Sequence, residues 1–565
     1  MPQLTWMGKD KVKNHHHHVP FHLLDKLYDF QAAEGKPANR RDNLLIHGDN
    51  LLALKSLLPE FGGRVNCIYI DPPYNTGEEK WVYNDNVNDP RIQKWLHQVV
   101  GKEGEDLSRH DKWLCMMYPR LKLLKQLLAD DGVIFISLDD NEQSHLKLIC
   151  DEIFGSHNFQ AQIIVQSNKR GQTYKQIAKT HEYLLCYQKS DLAELGEFET
   201  DGENLDKADQ WGQYSERELR NRNPKFGKFN RPNLFYPIFV NPNVCDEDGN
   251  CPLSSERTSE TIEVLPFNSQ GVESCWRWGL DKLKTHIHST KDVFARQTRD
   301  GQWRIFEKYR KGTVKAKSIW LENKYISEQG TTEFNKFGLE HPFDFPKPVD
   351  LVQDCLVLAN NPNAIILDSF IGSGTTAHAV LNLNRKDGGN RRFIGIEMMD
   401  YAENVTAERI RRVINGYGSK AETQLGTGGG FAFYRVGDAL FDAEHHLNPA
   451  APVAAVRRYI AYTEGLPVSA LPECEMQPEN GDGQPENPVS PYFLGVKDGT
   501  AYVFHYEPDR ATDLSWAFLQ TIRTETLPEK PERWVIYADR TLLSEEQMQR
   551  LGIIFKRIPR DISKL

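Results

Sequence analysis

The chain has 565 residues, of which 39% are hydrophobic and 26% charged, a composition that fits folded globular domains, roughly three or four of them at ordinary domain size. No run approaches the roughly 18 uninterrupted apolar residues of a membrane helix, and the N-terminus lacks an apolar core with a small-residue cleavage site, so neither a membrane span nor a secretory leader is expected. The net charge of -10 excludes a uniformly basic surface but not a local basic stripe.

Residues 1–40 are polar and read as an irregular, solvated segment that includes His15, His16, His17 and His18. From there an α/β pattern begins. LLIH (44–47) predicts a buried strand, and the stretch after Asp49 predicts a helix. VNCIYI (65–70) predicts a second strand, 112–129 a long helix with a kink at Pro119 and a stop at DDG (130–132), and VIFISL (133–138) a third strand. HEYLLCY (181–187) predicts another strand, after which regularity declines. Near residue 340 the pattern resumes with a helix over VDLVQDCLVLA, the strand AIILD (364–368), a helix over AHAVLNLN and the strand FIGIE (393–397). One α/β domain is therefore interrupted by an insert too long for an ordinary loop. The stretch 472–491 reads as a linker, and YFLGV, AYVFHY and WVIYA predict strands of a small end domain. Nine cysteines lack clip spacing; Cys245 and Cys251 are the nearest pair, and reduced cytoplasmic thiols with no metal site are expected.

Two turns carry chemistry. Asp71-Pro72-Pro73-Tyr74 directly follows VNCIYI. The exocyclic amine of a nucleobase is a poor nucleophile because its lone pair is delocalised. A carboxylate (Asp71) and a carbonyl (Pro72) that each accept one amine hydrogen bond favour a pyramidal nitrogen with its lone pair directed outward. Pro72 and Pro73 stiffen the backbone, and Tyr74 offers an aromatic face for an extrahelical base. The carboxyl end of a buried strand is where open α/β sheets bind ligands.

The second turn is Asp368-Ser369-Phe370-Ile371-Gly372-Ser373-Gly374-Thr375-Thr376, between the strand AIIL and a helix. Gly372 and Gly374 permit a tight turn and close approach to a ligand. Glu397, 25 residues after Gly372, ends the next strand at a spacing suited to ribose hydroxyls. Ala377 stands where a third glycine would serve a phosphate site, so a nucleoside is the better-supported ligand.

DPPYNTG followed far downstream by FIGSGTT resembles the β-class of DNA amino-methyltransferases, over about 40–430. DPPYNTG, the long insert and the extra C-terminal region resemble the modification (Mod) subunit of a type III restriction–modification system. The resemblance implies a Rossmann-like, mainly parallel seven-stranded sheet with an antiparallel hairpin, S-adenosylmethionine as methyl donor, and the N6 amine of a flipped adenine in double-stranded DNA as acceptor. It assigns Asp71, Pro72, Pro73 and Tyr74 to catalysis. Phe370, Gly372, Gly374, Thr375 and Asp368 fall to the cofactor loop, Glu397 to the ribose, and Asp49 of HGDN to the cofactor adenine. Lys347 of FPKP (345–348) faces the methionyl carboxylate in this reading, and Asn75 and Thr76 extend the catalytic turn. The implied organisation is an N-terminal segment (1–40), methyltransferase halves at 41–165 and 341–430, a target-recognition insert (166–340) and a C-terminal domain (431–565) for partner or dimer contacts. A homodimer, a separate ATP-dependent restriction subunit and a cytoplasmic location follow as expectations.

The insert interleaves basic and aromatic residues: Lys169, Arg170 and Lys175, then Arg217, Arg220, Arg222, Lys225, Lys228 and Arg231 with Phe226, Phe229 and Tyr236, then Trp276, Arg277, Trp278, Trp303 and Arg304. Lys169, Arg170, Arg220, Arg222, Lys225 and Arg231 are the candidate DNA contacts. The alternatives are a solitary N6-adenine or N4-cytosine enzyme, an RNA methyltransferase, and a non-catalytic DNA-binding or scaffold subunit; Asp at position 71 leans toward adenine. No nucleotide-binding GxxxxGK(S/T) loop is present.

Overall fold

The computed structural model describes residues 4–76, 90–102, 108–171, 176–199, 205–268, 270–287, 290–298, 301–310, 313–340, 343–442, 444–466, 489–527 and 530–560. It divides into two compact units, Met1–Gly196 with Lys317–Leu565, and Glu197–Ala316.

The larger unit is built on a mixed sheet of ten strands among the described residues: β1 (His22–Gln31), β2 (Asn43–His47), β3 (Val65–Ile70), β4 (Leu128–Leu138), β5 (Phe159–Gln166), β6 (His181–Gln188), β7 (Ile319–Trp320), β8 (Ile365–Asp368), β9 (Arg392–Glu397) and β10 (Gly430–Ala439). Their order is β1-β10-β2-β9-β8-β3-β4-β6-β5-β7. From β10 to β4 all neighbours pair in parallel. β6 and β1 run against their neighbours. The sheet therefore exceeds the seven strands that the resemblance implies. The central strands are buried over most of their length, as expected of parallel strands covered on both faces.

Helix α1 (Asn50–Phe61) starts at Asp49, whose carboxylate accepts the Leu51 amide at 2.7 Å. Helix α2 (Arg109–Leu127) starts with a capping box made by Ser108 and Asp111 and contains Pro119. It stops at Leu127, and β4 begins at once, so Asp130, Asp131 and Gly132 lie in a strand and not in the expected helix stop. Helix α3 (Gln143–Phe154) and β5 have no counterpart in the sequence reading. Helix α4 (Val349–Leu358) precedes β8, and α5 (Thr375–Asp387) follows it between left-handed glycines, Gly374 and Gly388.

The N-terminal segment is not irregular. Its HLLDKLYDFQ run is the edge strand β1, paired along β10. The run keeps no regular alternation and two register shifts interrupt its pairing, so no period in the sequence marks it as a strand. The histidine run forms one helical turn in which His16 is buried and its carbonyl accepts Lys55 Nζ at 3.0 Å. The end region holds β11 (Phe493–Lys497), β12 (Thr500–Phe504), β13 (Arg533–Ala538) and β14 (Ile553–Arg557) in one sheet, the last three parallel. Most of the linker at 472–491 lies outside the described residues. No helix among the described residues is long and apolar enough to cross a membrane.

The smaller unit packs a sheet of Val293–Gln297, Trp303–Tyr309, Gly212–Glu218 and Lys207–Asp209 over its own core. Here the expectation of reduced thiols is corrected: Cys245 and Cys251 form a disulfide. Asp246 closes the intervening turn by accepting the Asp248 and Asn250 amides, which brings the two sulfurs together.

Candidate active site

The four acids singled out in the sequence sit at one edge of the sheet. Asp49 follows β2, Glu397 ends β9, Asp368 ends β8 and Asp71 follows β3, and β2, β9, β8 and β3 are consecutive parallel strands. Two motifs about 300 residues apart in sequence thus share the carboxyl ends of adjacent strands, the ligand-binding edge of an open α/β sheet.

Glu397 accepts the Gly372 amide through Oε2 and the Met399 amide through Oε1, each at 2.9 Å. Asp368 accepts the Phe370 amide at 2.9 Å and the Thr376 hydroxyl at 2.5 Å. Gly372 and Gly374 both take positive φ, 53° and 87°. Thr406 Oγ1 donates to the Gly372 carbonyl, and the buried Arg409 guanidinium donates to Ser373 Oγ and Thr375 Oγ1. Burial pushes both Asp368 and Glu397 up to about 7, against hydrogen bonds that pull the other way; the neighbouring Asp71 and Glu397 carboxylates add to the rise at Asp368. Asp49 faces the buried Arg120, 3.5 Å away, and Arg120 also donates to Asn50, whose amide in turn holds the Ser369 carbonyl.

The catalytic turn is held from below. Trp113 Nε1 donates to the Pro73 carbonyl at 2.6 Å, and Arg109 Nη1 to the Thr76 carbonyl at 3.0 Å, both from the first turns of α2. Asn75 is buried at φ 59° and donates its side-chain amide to Glu142. Gly77, the last residue of DPPYNTG, lies outside the described residues.

The Lys347 ammonium, expected to face the cofactor, lies beside Asp71, Tyr74 and Glu182, and the Lys347 carbonyl accepts from Thr375 Oγ1 of the glycine turn. The ammonium lies 2.8 Å from Glu182 on β6 and 3.4 Å from Asp71 Oδ1, hydrogen-bonds to Tyr74 Oη, and stands 4.7 Å from the centre of the Tyr74 ring. Tyr74 Oη also donates to Glu182 at 3.1 Å. A cleft lined by Tyr69, Asp71, Phe345, Lys347, Asp368 and Phe370, among others, joins the two turns.

The N6_N4_Mtase family model, described as DNA methylase, matches residues 65–408. The chain belongs to this DNA methylase family. The chain is 35% identical over 422 residues to the type III restriction-modification enzyme EcoPI Mod subunit of Escherichia phage P1, covering 70% of this chain and 63% of that protein. It is 34% identical over 375 residues to the type II methyltransferase M.KpnI of Klebsiella pneumoniae, covering 66% of this chain and 84% of that one. It is 31% identical to the type III EcoP15I Mod subunit of Escherichia coli, covering 70% of this chain and 64% of that protein. The methylase therefore spans somewhat under two thirds of the length of both Mod subunits.

Sequence reasoning about this methylase missed Glu182, Glu142 and Arg120. Glu182 lies within the predicted strand HEYLLCY, where an acid in an otherwise apolar run is a signal; Arg120 is a cation in the apolar stretch of α2. Glu142, fully buried, has His110 Nδ1 and His145 Nδ1 at 2.6 and 2.7 Å, and the ligand atoms of this trio lie within 4.8 Å of one another. No metal site was expected from the sequence, yet this trio has donor types and spacing that could hold an ion, and its Glu142 accepts from Asn75.

In the smaller unit a groove is lined by Arg220, Arg222, Phe226, Phe229, Trp303 and Arg304. Arg220 and Arg222 both pair with Glu218, Lys225 is exposed, and the Arg231 guanidinium lies 5.6 Å from the Phe226 ring. Trp276, Trp278 and Tyr236 are core residues; Trp276 Nε1 donates to the Tyr236 carbonyl, so these rings are not free to stack on bases. Lys169 and Arg170 are exposed in the larger unit, and Lys175 lies outside the described residues.

Proposed function

We propose that this methylase transfers a methyl group from S-adenosylmethionine to the N6 amine of an adenine turned out of duplex DNA, as the modification subunit of a type III restriction–modification system. The observation that carries this reading is the arrangement of Asp71, Asp368 and Glu397 at the carboxyl ends of the neighbouring strands β3, β8 and β9. An amine acceptor and a nucleoside-type donor bound at that edge meet directly.

The residues present fit such a donor. Asp368 lines the cleft beside Asp71, and burial lifts Asp368 and Glu397 toward neutrality, so a bound sulfonium cation would favour their ionised forms. The Ser369 hydroxyl is buried without a hydrogen-bond partner among the described residues, an acceptor or donor left for a ligand. Glu397 and Asp49 suit ribose and adenine, and Phe370, Gly372, Gly374 and Thr375 the turn around the donor. When bound, S-adenosylmethionine supplies an electrophilic methyl group.

Asp71 and the Pro72 carbonyl each accept one hydrogen of the target amine and orient its lone pair, while the Pro73 carbonyl is already engaged by Trp113. Tyr74 stacks on the extruded base. Lys347 balances the charge of Asp71 and Glu182, and the transferred methyl leaves a cationic amine whose proton Asp71 accepts. We read β2, β9, β8, β3, β4, β6 and β5 as the seven-stranded methyltransferase sheet, with β1, β10 and β7 as additions. The 166–340 region serves as the target-recognition insert, with Lys169, Arg170, Arg220, Arg222, Lys225 and Arg231 toward phosphates. The region 431–565 serves homodimer or partner contacts, and cleavage falls to a separate ATP-dependent subunit, in the cytoplasm.

The test is transfer of labelled methyl from S-adenosylmethionine to plasmid DNA followed by nucleoside mass spectrometry. N6-methyladenine is expected. N4-methylcytosine would overturn the target, and label in RNA alone would overturn the DNA assignment.

A further inference from the structure

The methyl-transfer reading leaves unused a buried acid that is bonded to the residue after Tyr74. Glu142, just before α3, has no exposed surface, and its described partners are all neutral or titratable donors: Asn75 Nδ2, His110 Nδ1 and His145 Nδ1. Burying a carboxylate is costly unless every lone pair is used, so this acid is retained against its desolvation penalty. What it holds is Asn75, the residue that follows Tyr74 and adopts φ 59°. A non-glycine residue in that region persists where its surroundings over-determine it. The surroundings here are two. The Asn75 side chain reaches Glu142 and, at 3.3 Å, the Arg109 carbonyl. The two imidazoles in turn occupy both oxygens of Glu142, one from the start of α2 and one from the first turn of α3. Asn75 directly follows Tyr74, so its left-handed backbone conformation bears on where Tyr74 sits, although Glu142 is bonded to Asn75 and not to Tyr74.

We propose that Glu142, braced by His110 and His145, is a positioning residue for methyl transfer that acts through Asn75 by locking the turn carrying Asp71 to Tyr74. The proposal rests on the methyl-transfer reading for its kinetic consequence, but its structural content does not. In Glu142→Gln, the amide oxygen still accepts from Asn75. In Glu142→Ala, that acceptor is gone.

The experiment compares wild type, Glu142→Ala, Glu142→Gln, Asn75→Ala and the Glu142→Ala/Asn75→Ala double variant by methyl-transfer kinetics and by amide hydrogen exchange over residues 71–76. Expected for Glu142→Ala is a fall in kcat of about 10²-fold from misplacement of the turn. KM for DNA and for S-adenosylmethionine stays near wild type, and exchange over 71–76 becomes faster. Glu142→Gln recovers most of the rate, and the double variant is no worse than either single one, because both remove the same interaction. Full activity in Glu142→Ala, or additive losses in the double variant, would overturn the proposal. So would equal losses in Ala and Gln with slowly exchanging residues 71–76. A wild type that methylates no nucleic acid, together with faster exchange in Glu142→Ala rescued by Gln, would overturn the methyl-transfer reading and retain Glu142 as the anchor of the turn.

Discussion

Lys347 and Glu182 form a 2.8 Å ion pair between residues 165 positions apart, and the same ammonium reaches Asp71 Oδ1 at 3.4 Å. The acid of the catalytic turn therefore does not stand alone. It shares one cation with a second carboxylate on the antiparallel strand β6, in a half-buried setting where charges interact far more strongly than in water.

Replacing Lys347 by Met keeps the length and removes the charge, so Asp71 and Glu182 face each other uncompensated. Methyl transfer falls by about 10²-fold, the scale of one lost charge-stabilising donor, while DNA affinity is retained. Single-turnover transfer beside a DNA-binding titration checks this; loss of binding in parallel with rate would assign Lys347 to substrate binding.

Asp71→Ala removes the amine acceptor. Transfer drops by at least about 10³-fold, and S-adenosylmethionine binding, measured by calorimetry, is essentially unchanged. Loss of both would make Asp71 a structural residue of the sheet edge.

In the proposed reading Asp368 and Glu397, raised from ordinary values of 3.8 and 4.5 to about 7, make cofactor binding pH-dependent. The folded chain holds these protons where the unfolded chain has lost them. Stability without cofactor is therefore greatest below about pH 4 as far as these groups contribute, and this contribution falls as pH rises through 7. A cationic donor favours the ionised forms. Its affinity should rise by up to about tenfold per pH unit between pH 6 and 7, then level off. Calorimetric titration across pH 5.5–8.5 reads this, and a flat profile would mean that the donor does not sense either carboxylate.

Gly330 lies on the helix Ser327–Asn335, where an added Cβ would come 1.9 Å from the Pro346 carbonyl oxygen. No rotamer relieves a clash with backbone. Gly330→Ala therefore displaces the segment that carries Lys347, and transfer falls by about 10-fold or more from misplacement alone. Wild-type rates in this variant would show that Lys347 does not need its present position.

Changing Arg220, Arg222 and Arg231 together to Gln weakens DNA binding and lowers the slope of log affinity against log salt by about 2–3, close to 0.9 per lost phosphate contact. An unchanged slope would move the DNA surface away from the groove of the smaller unit.

Much of the frame was legible before any coordinates. VNCIYI, VIFISL and AIILD announce themselves because strands buried on both faces are short, mainly apolar runs. DPPY and the Gly372–Gly374 turn are legible because proline and glycine have local conformational meaning. β1 and β10 were not legible: the first keeps no regular alternation and its pairing carries two register shifts, and the second opens on the last glycine of the run GTGGG. α3 and β5 were passed over for want of a strong period.

By itself, then, the sequence determined that a Pro-stiffened acidic turn and a glycine turn each end a buried strand, since those properties belong to short segments of chain. Only the tertiary structure decided that β3, β8, β9 and β2 lie side by side, and that Lys347, Glu182 and Glu142 close around the turn. Strand order and hydrogen bonds across 67 to 273 residues depend on how the whole sheet assembles, and no local pattern encodes that.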